Sequence, residues 1–296
     1  MTSTQENTLA RLINTAAARL RAVGIDAGVA EAEIILCDLL DCDRLKLYLD
    51  GPSLITPEIT ARFEEILTRR ETRYPLQYIL GESWFYGRRF AVDERVMVPT
   101  PETELLCEYA IRFLKFAGID QPRVLDVGCG SGVISVTVAL EYPGAQITAL
   151  DISADALEVA QANAATLGAE TITFRESDLF SSIKPNERYT LILSNPPYIG
   201  DREYAGLPPE VKADPRVALT SGEHGMDIIT RLVDQAPNFM APDGRIMFEI
   251  GYDQSEKVRA LVEADQRYRS IVIMKDLNDI DRLVILSPVS ENAETL

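Results

Sequence analysis

Arg123-Val124-Leu125-Asp126-Val127-Gly128-Cys129-Gly130-Ser131-Gly132 is the stretch that decides the fold. A mostly apolar run ends in three alternating glycines, and Val133-Ile134-Ser135-Val136 then opens a helical pattern. That is a buried strand turning at once into a helix. Glycines at such an exit let the backbone approach a ligand closely, in the crevice beyond the carboxyl ends of the strands. A dinucleotide fingerprint needs glycine at the first, third and sixth places. Here the sixth is Val133, and glycine falls at the fifth, Gly132. A P-loop needs Gly-Lys-Ser/Thr, which is absent.

Strands and helices alternate outward from this point. Strands are predicted at 146–153, 172–178, 189–198, 244–251, 269–277 and 281–288, with helices between most of them. Such alternation predicts an α/β fold with a mainly parallel sheet covered on both faces. The last two strands are joined only by Asn278-Asp279-Ile280, so a hairpin makes the last one antiparallel to its neighbour. Upstream, residues 75–101 alternate aromatic and β-branched residues around Gly81 and Gly87, which predicts a β-hairpin linker. Residues 1–74 read as a small helical bundle. Its first helix buries Leu9, Leu12, Ile13, Ala16, Ala17 and Leu20 and stops near Gly24. The second offers Ala30, Ile34, Leu36, Cys37 and Leu40 for burial. The third is halted by Gly51-Pro52, and the fourth starts at Thr56 with Pro57 in the first turn. The division expected is therefore 1–74, 75–101 and 102–296.

The 296 residues are 46% hydrophobic and 25% charged, enough for one large domain and a smaller one. No apolar run approaches the roughly 20 residues that span a bilayer, and the N-terminus lacks a secretory pattern. A cytoplasmic protein without membrane attachment is expected. Four cysteines, none in a C-x-x-C pair, and the single His224 exclude the usual zinc spacings, so no metal is expected. Net charge is −17, of which about −14 lies beyond residue 75. Such a field opposes stable binding of nucleic acid and favours a basic partner.

A second motif, Ser194-Asn195-Pro196-Pro197-Tyr198, closes the strand that begins at Tyr189. Two prolines cannot continue a central ladder, and the first holds Asn195 extended. This stiff exit fixes one amide side chain, frees backbone carbonyls and ends in an aromatic ring. Those groups suit a flat, NH2-bearing guest.

The D-x-G-x-G-x-G spacing from Asp126 to Gly132 resembles motif I of S-adenosylmethionine-dependent methyltransferases, and Asn-Pro-Pro-Tyr resembles the target pocket of those acting on planar amino nitrogens. Segments quoted in order, "PLQYILG", "FYGRRFAV", "VMVPTPETE", "DVGCGSG", "LDIS", "SNPPYI", "ADPRVALTSGEHGMD", "FEIGYDQ" and "KDLNDIDRLV", resemble the PrmC/HemK family of peptide chain release factor glutamine methyltransferases from about residue 75 to 287. The resemblance implies a Rossmann-like class I methyltransferase domain with a seven-stranded mixed sheet, after a helical bundle and a hairpin linker. It implies methyl transfer from S-adenosylmethionine, leaving S-adenosylhomocysteine, to the glutamine of a Gly-Gly-Gln loop in a release factor. Asp126, Gly128, Cys129, Gly130, Gly132, Asp151, Ile152, Asp178, Leu179 and Asn195 would then bind the cofactor. Asn195, Pro196 and Tyr198 would be catalytic, and with Pro197, Glu102 and Thr103 would hold the substrate. A monomer is expected. Asp151 and Asp178, each taken alone, also read as cap or turn residues. Competing readings are adenine-N6 methylation of nucleic acid and a catalytically inactive cofactor-binding scaffold. The chain departs from the family in having Thr100 where Arg is usual between Pro99 and Pro101, Asp214 for Glu and Asp279 for Gly, and Thr100 leaves the anchoring of that turn open.

Overall fold

The computed structural model describes residues 2–289. Two compact units result. One takes in the chain up to Glu82 together with Pro208–Ala213, and the other takes in Ser83–Leu207 and the chain from Asp214 onward.

The first unit is helical: α1 (Thr2–Ala22), α2 (Gly28–Leu40), α3 (Arg44–Leu54), α4 (Pro57–Glu71) and the short α5 (Leu76–Leu80). Leu9, Ile13, Ala16, Ala17 and Leu20 are buried along α1, as the stripe predicts. On α2 the buried face is Gly28, Ala32, Ile35 and Leu36, and Ile34 is 48% exposed. The rotation follows from Gly28, where a side chain would stand 2.9 Å from the Cα of Ala17. The two helices cross closely there and turn Ala32 and Ile35, not Ala30 and Ile34, inward. Helix α3 runs past Gly51-Pro52 to Leu54, where the sequence predicts a stop. A proline this near a helix end removes one hydrogen bond, and the helix ends two residues later. Thr56 caps α4 by accepting from Ile59 N at 3.3 Å. Buried Arg70 pairs with Glu31 at 2.7 Å and with Glu210 at 3.0 Å, and Arg73 reaches Glu210 at 2.6 Å. These bonds are why Pro208–Ala213 belongs with the helices.

The second unit opens with a hairpin of β1 (Glu82–Phe85) and β2 (Arg88–Ala91), turning at Tyr86-Gly87 with φ of 50° and 74°. Gly81, predicted inside the hairpin, instead ends α5 in the left-handed region. Then follow α6 (Pro101–Ala117), β3 (Arg123–Val127), α7 (Val133–Glu141), β4 (Gln146–Asp151), α8 (Ala154–Leu167), β5 (Thr173–Glu176) and β6 (Tyr189–Ser194). Three single turns, α9 (Asp201–Tyr204), α10 (Pro209–Lys212), which belongs to the first unit, and α11 (Arg216–Leu219), precede α12 (Asp227–Gln235), β7 (Met240–Glu249), α13 (Ser255–Glu263), β8 (Tyr268–Lys275) and β9 (Asp281–Pro288). The seven-stranded sheet runs β5-β4-β3-β6-β7-β9-β8, and β9 is antiparallel to both neighbours. Alternate residues feed two cores. Val124, Leu191 and Leu193 pack with α6, α7 and α8 on one face, and Leu125, Val127 and Ile192 pack with α12 and α13 on the other. Strand order reverses at β3, between β4 and β6, so the crevice opens where the glycine loop and Asn195 leave the sheet. No described helix is long and apolar enough to cross a membrane.

Candidate active site

The glycine loop is built from main-chain bonds. Gly128 and Cys129 both donate to Leu150 O at 2.8 Å, tying the exit of β3 to the end of β4. Gly128, Gly130 and Gly132 have φ of 76°, 53° and 81°, a region that side chains disfavour. A Cβ at Gly132 would meet Ala160 Cβ at 3.1 Å, whereas at Gly128 or Gly130 it would project into open space. Asp151 locks this loop: one carboxylate oxygen accepts from Gly130 N at 2.8 Å and the other from Ser153 N at 2.9 Å. Burial raises the Asp151 pKa, and the N–H groups of Ser153, Gly130 and Ile152 oppose that rise. Asp126 sits beneath the loop, fully buried, accepting from Ser135 N at 3.1 Å and from the Ser135 hydroxyl. Its second oxygen has no partner among the described residues, and burial pushes its pKa up to about 7.

Asp178 follows β5 and pairs with Arg231 at 2.8 Å. Leu179 beside it has φ of 49°, a strained value for a branched side chain, and its carbonyl accepts from Ser177 Oγ at 2.7 Å.

At the exit of β6, Ser194 Oγ donates to Val127 O at 2.7 Å and holds the two strand ends together. Asn195 Nδ2 donates to Thr103 Oγ1 at 3.0 Å. Among the described residues its oxygen accepts from no protein group, and it is not sealed from solvent. Thr103 stands in the first turn of α6, 2% exposed. Tyr198 is half-buried, and burial pushes its pKa up to about 12, so the phenol stays neutral. The proline-rich turn before α6 is held without an arginine. Asp214, the residue at one departure from the family pattern, accepts from Val98 N at 3.3 Å, and Thr100 Oγ1 lies 3.5 Å from Thr103 Oγ1.

A cavity of about 210 Å³ lies between these exits, mostly apolar in its walls. Gly128, Cys129, Gly130, Asp151, Ile152, Asp178, Leu179, Asn195, Pro197 and Thr103 line it. Asp126, Gly132, Pro196, Tyr198 and Glu102 stand behind or beside it. Asp126 and Gly132 act on the loop from underneath. His224 is exposed and away from the cavity.

Three buried polar residues at the site had no assigned role in the sequence reading. Gln254 is 2% exposed. It donates to Tyr198 O at 2.9 Å and Gly225 O at 3.1 Å and accepts from Gly251 N at 2.8 Å, fixing the Pro-Pro-Tyr corner. Asn163 donates to Ser131 O at 2.9 Å and exchanges bonds with Ala91, bracing the glycine loop against the hairpin. Glu249, at the end of β7, is 1% exposed. The last two lay within predicted elements, where an isolated polar residue gives no sign of being turned inward. Gln254 lay at the start of the helix predicted over 253–265. Its signal was the Gly251-to-Gln254 spacing of a helix start.

The arrangement places an apolar slot against a carboxylate-locked glycine loop at one end and an oriented carboxamide at the other. Sequence comparisons agree with that geometry. Residues 11–81 match the PrmC N-terminal domain and residues 110–206 the methyltransferase small domain. A release factor glutamine methyltransferase of Koribacter versatilis is 39% identical over 94% of this chain and 98% of its own length. One of Cereibacter sphaeroides is 42% identical over 92% of this chain and 95% of its own. Among solved structures, the hMettl16 catalytic domain in complex with MAT2A 3'UTR hairpin 1 superposes with a TM-score of 0.57 at 12% identity, covering 77% of this chain and 82% of that one, a likeness of fold alone. With about 40% identity across more than nine-tenths of its length, the chain belongs to the release factor glutamine methyltransferase family.

Proposed function

We propose that this chain transfers a methyl group from S-adenosylmethionine to the side-chain amide nitrogen of the glutamine in the Gly-Gly-Gln loop of a peptide chain release factor. The observation that carries the reading is the Asn195 amide, held by Thr103 through its nitrogen so that its oxygen is left to accept from a guest. On this reading the enzyme is a cytoplasmic monomer needing no metal, its acidic surface favours a basic factor domain, and the helical segment 1–74 helps recognise the factor.

The residues present fit the cofactor. Gly128 and Gly130 leave open the space that side chains would fill, and each Asp151 oxygen keeps a lone pair free after its backbone bond. Asp151 would accept the ribose hydroxyls, Ile152 and Leu179 would pack on the adenine, and Asp178 would face its amino group. Gly128, Cys129 and Gly130 would lie along the methionine end. When bound, S-adenosylmethionine supplies an electrophilic methyl group and leaves as S-adenosylhomocysteine.

An amide nitrogen is a weak nucleophile because its lone pair is delocalised. The chain compensates by position. Asn195 Oδ1 and the Pro196 carbonyl accept the two N–H bonds of the glutamine amide and point its nitrogen into the cavity. As that nitrogen gains positive charge, the same two dipoles stabilise it. Tyr198, neutral and pinned by Gln254, packs on the flat face of the amide. The proton leaves after transfer, so no strong base is required.

The deciding experiment incubates the chain with labelled S-adenosylmethionine, a purified release factor, its Gly-Gly-Ala variant, and tRNA or DNA. Label on the factor and none on the variant is expected. Label in the nucleic acid would replace this reading with adenine methylation, and no label anywhere would leave a scaffold.

A further inference from the structure

The sequence predicts residues 92–100 as part of a linker. They lie between β2 and α6 and belong to neither. Yet Arg95, Val96, Met97 and Pro99 line the same cavity as the glycine loop. This strap has no ladder or helix of its own, so its position depends on its ties.

The ties differ in strength. Arg95 pairs with Asp93 at 2.7 Å, which is within the strap, and with Glu158 of α8 at 3.1 Å. The Arg95 and Glu158 side chains are 41% and 71% exposed, and such a pair contributes little. Val98 N reaches Asp214 at a long 3.3 Å. The root of the strap is held more firmly. Ala91, the last residue of β2, donates its N–H to Asn163 Oδ1 at 2.8 Å, and its carbonyl accepts from Asn163 Nδ2 at 3.0 Å. One side chain thus supplies both bonds of a ladder rung.

The same Nδ2 donates to Ser131 O at 2.9 Å. Ser131 stands between Gly130 and Gly132 and lines the cavity. Asn163 is 2% exposed, and two carbonyls and one N–H face its amide, which has two hydrogens to give and one oxygen to accept. It fits one way round only. Ala160, one turn earlier on α8, is the residue that a side chain at Gly132 would strike. One face of α8 therefore supports the loop and anchors the strap. We infer that Asn163 is a positioning residue that holds the glycine loop and the root of the 92–100 strap at one spacing, and that the strap is a second wall of the S-adenosylmethionine site. This rests on the reading of the cavity as the cofactor's.

The test is calorimetry of S-adenosylmethionine on the full chain, with turnover on a release factor beside it. Asn163→Leu keeps the bulk and removes three bonds. It should weaken Kd by about 10- to 100-fold. At saturating cofactor kcat should stay within about three-fold, and KM for the factor within about two-fold. Asn163→Asp sets a buried carboxylate against two carbonyls, which raises its pKa, and protonation restores one donor. Its Kd relative to wild type should therefore recover as pH falls from about 8 to about 6, while the Asn163→Leu ratio stays flat. Met97→Ala should weaken Kd by about three- to ten-fold. Together with Asn163→Leu its cost should shrink, because a displaced strap has already lost that contact. A folded Asn163→Leu chain that binds like wild type, or two losses that multiply in full, would overturn the inference. If the Asn163 variants do not fold, hydrogen exchange of wild type decides. The cofactor should slow exchange in 91–99 as well as in the glycine loop, and protection confined to the loop would overturn the second wall. A wild-type chain that does not bind S-adenosylmethionine would overturn the cofactor reading as well. One that binds it and leaves the glutamine unmethylated would overturn only the substrate reading.

Discussion

The two strand exits that frame the cavity are held by different kinds of bond. On the β3–β4 side the partners are main chain: Leu150 O takes two loop N–H groups, and Asp151 takes those of Gly130 and Ser153. Asp151 is the one side chain that locks the loop from the cavity side. On the β6–β7 side the holding groups are side chains: Asn195 donates to Thr103, and Gln254 braces the corner. A largely main-chain cradle is rigid, which suits affinity. A side-chain relay of this kind orients a dipole, which suits the reacting end. On that division, damage to the first side should appear in binding and damage to the second in turnover.

Asn195→Ala is the strongest attempt to break it. Removing the oriented carbonyl should cut kcat by about 1,000-fold, the scale on which a single preorganised dipole acts. Cofactor affinity by calorimetry should stay within about three-fold of wild type. Loss of affinity in parallel with turnover would mean that the two exits are one binding site and the comparison fails. Asp151→Ala is the mirror image. The loop loses two charge-assisted bonds and the cofactor loses its carboxylate, so Kd should weaken by about 100-fold. At saturating cofactor kcat should fall by less than about ten-fold. An Asp151 variant with unchanged Kd would show that the glycine loop stands without its lock.

How much of this was legible in the sequence follows the same division. The parallel sheet, the antiparallel last strand and the glycine loop were legible because apolar periodicity and glycine spacing are local signals. The side-chain relay was not. Thr103 and Asn195 are 92 positions apart, and their contact exists only once α6 packs against the sheet. Glu249 ends a strand of apolar residues, and nothing in that run says that its carboxylate is buried. The α2 rotation was missed for a related reason: several apolar positions made two stripes available, and the approach of Gly28 to Ala17 chose between them. Asp126 was read as a ligand contact from its place in the motif, yet the structure gives it Ser135 and puts Gly128 and Cys129 in the cavity wall.

Asp126 offers the finest test, because it is the fully buried acid beneath the glycine loop. Burial raises its pKa in the folded chain to about 7, against an ordinary aspartate when unfolded. Between those values the folded state holds the extra proton, so its contribution to stability is complete in acid and is lost as pH rises through about 7. In Asp126→Asn the amide oxygen can still accept from Ser135 N while its NH2 occupies the place of the unpartnered carboxylate oxygen. That variant carries no charge to bury. Glu249 titrates in the same range but is common to both proteins and cancels in their difference. Urea unfolding at about pH 5.5 and about pH 8.5 should therefore show wild type losing on the order of 2 kcal/mol relative to Asp126→Asn between the two. A difference that does not change with pH would mean that water or a cation reaches Asp126 from the loop.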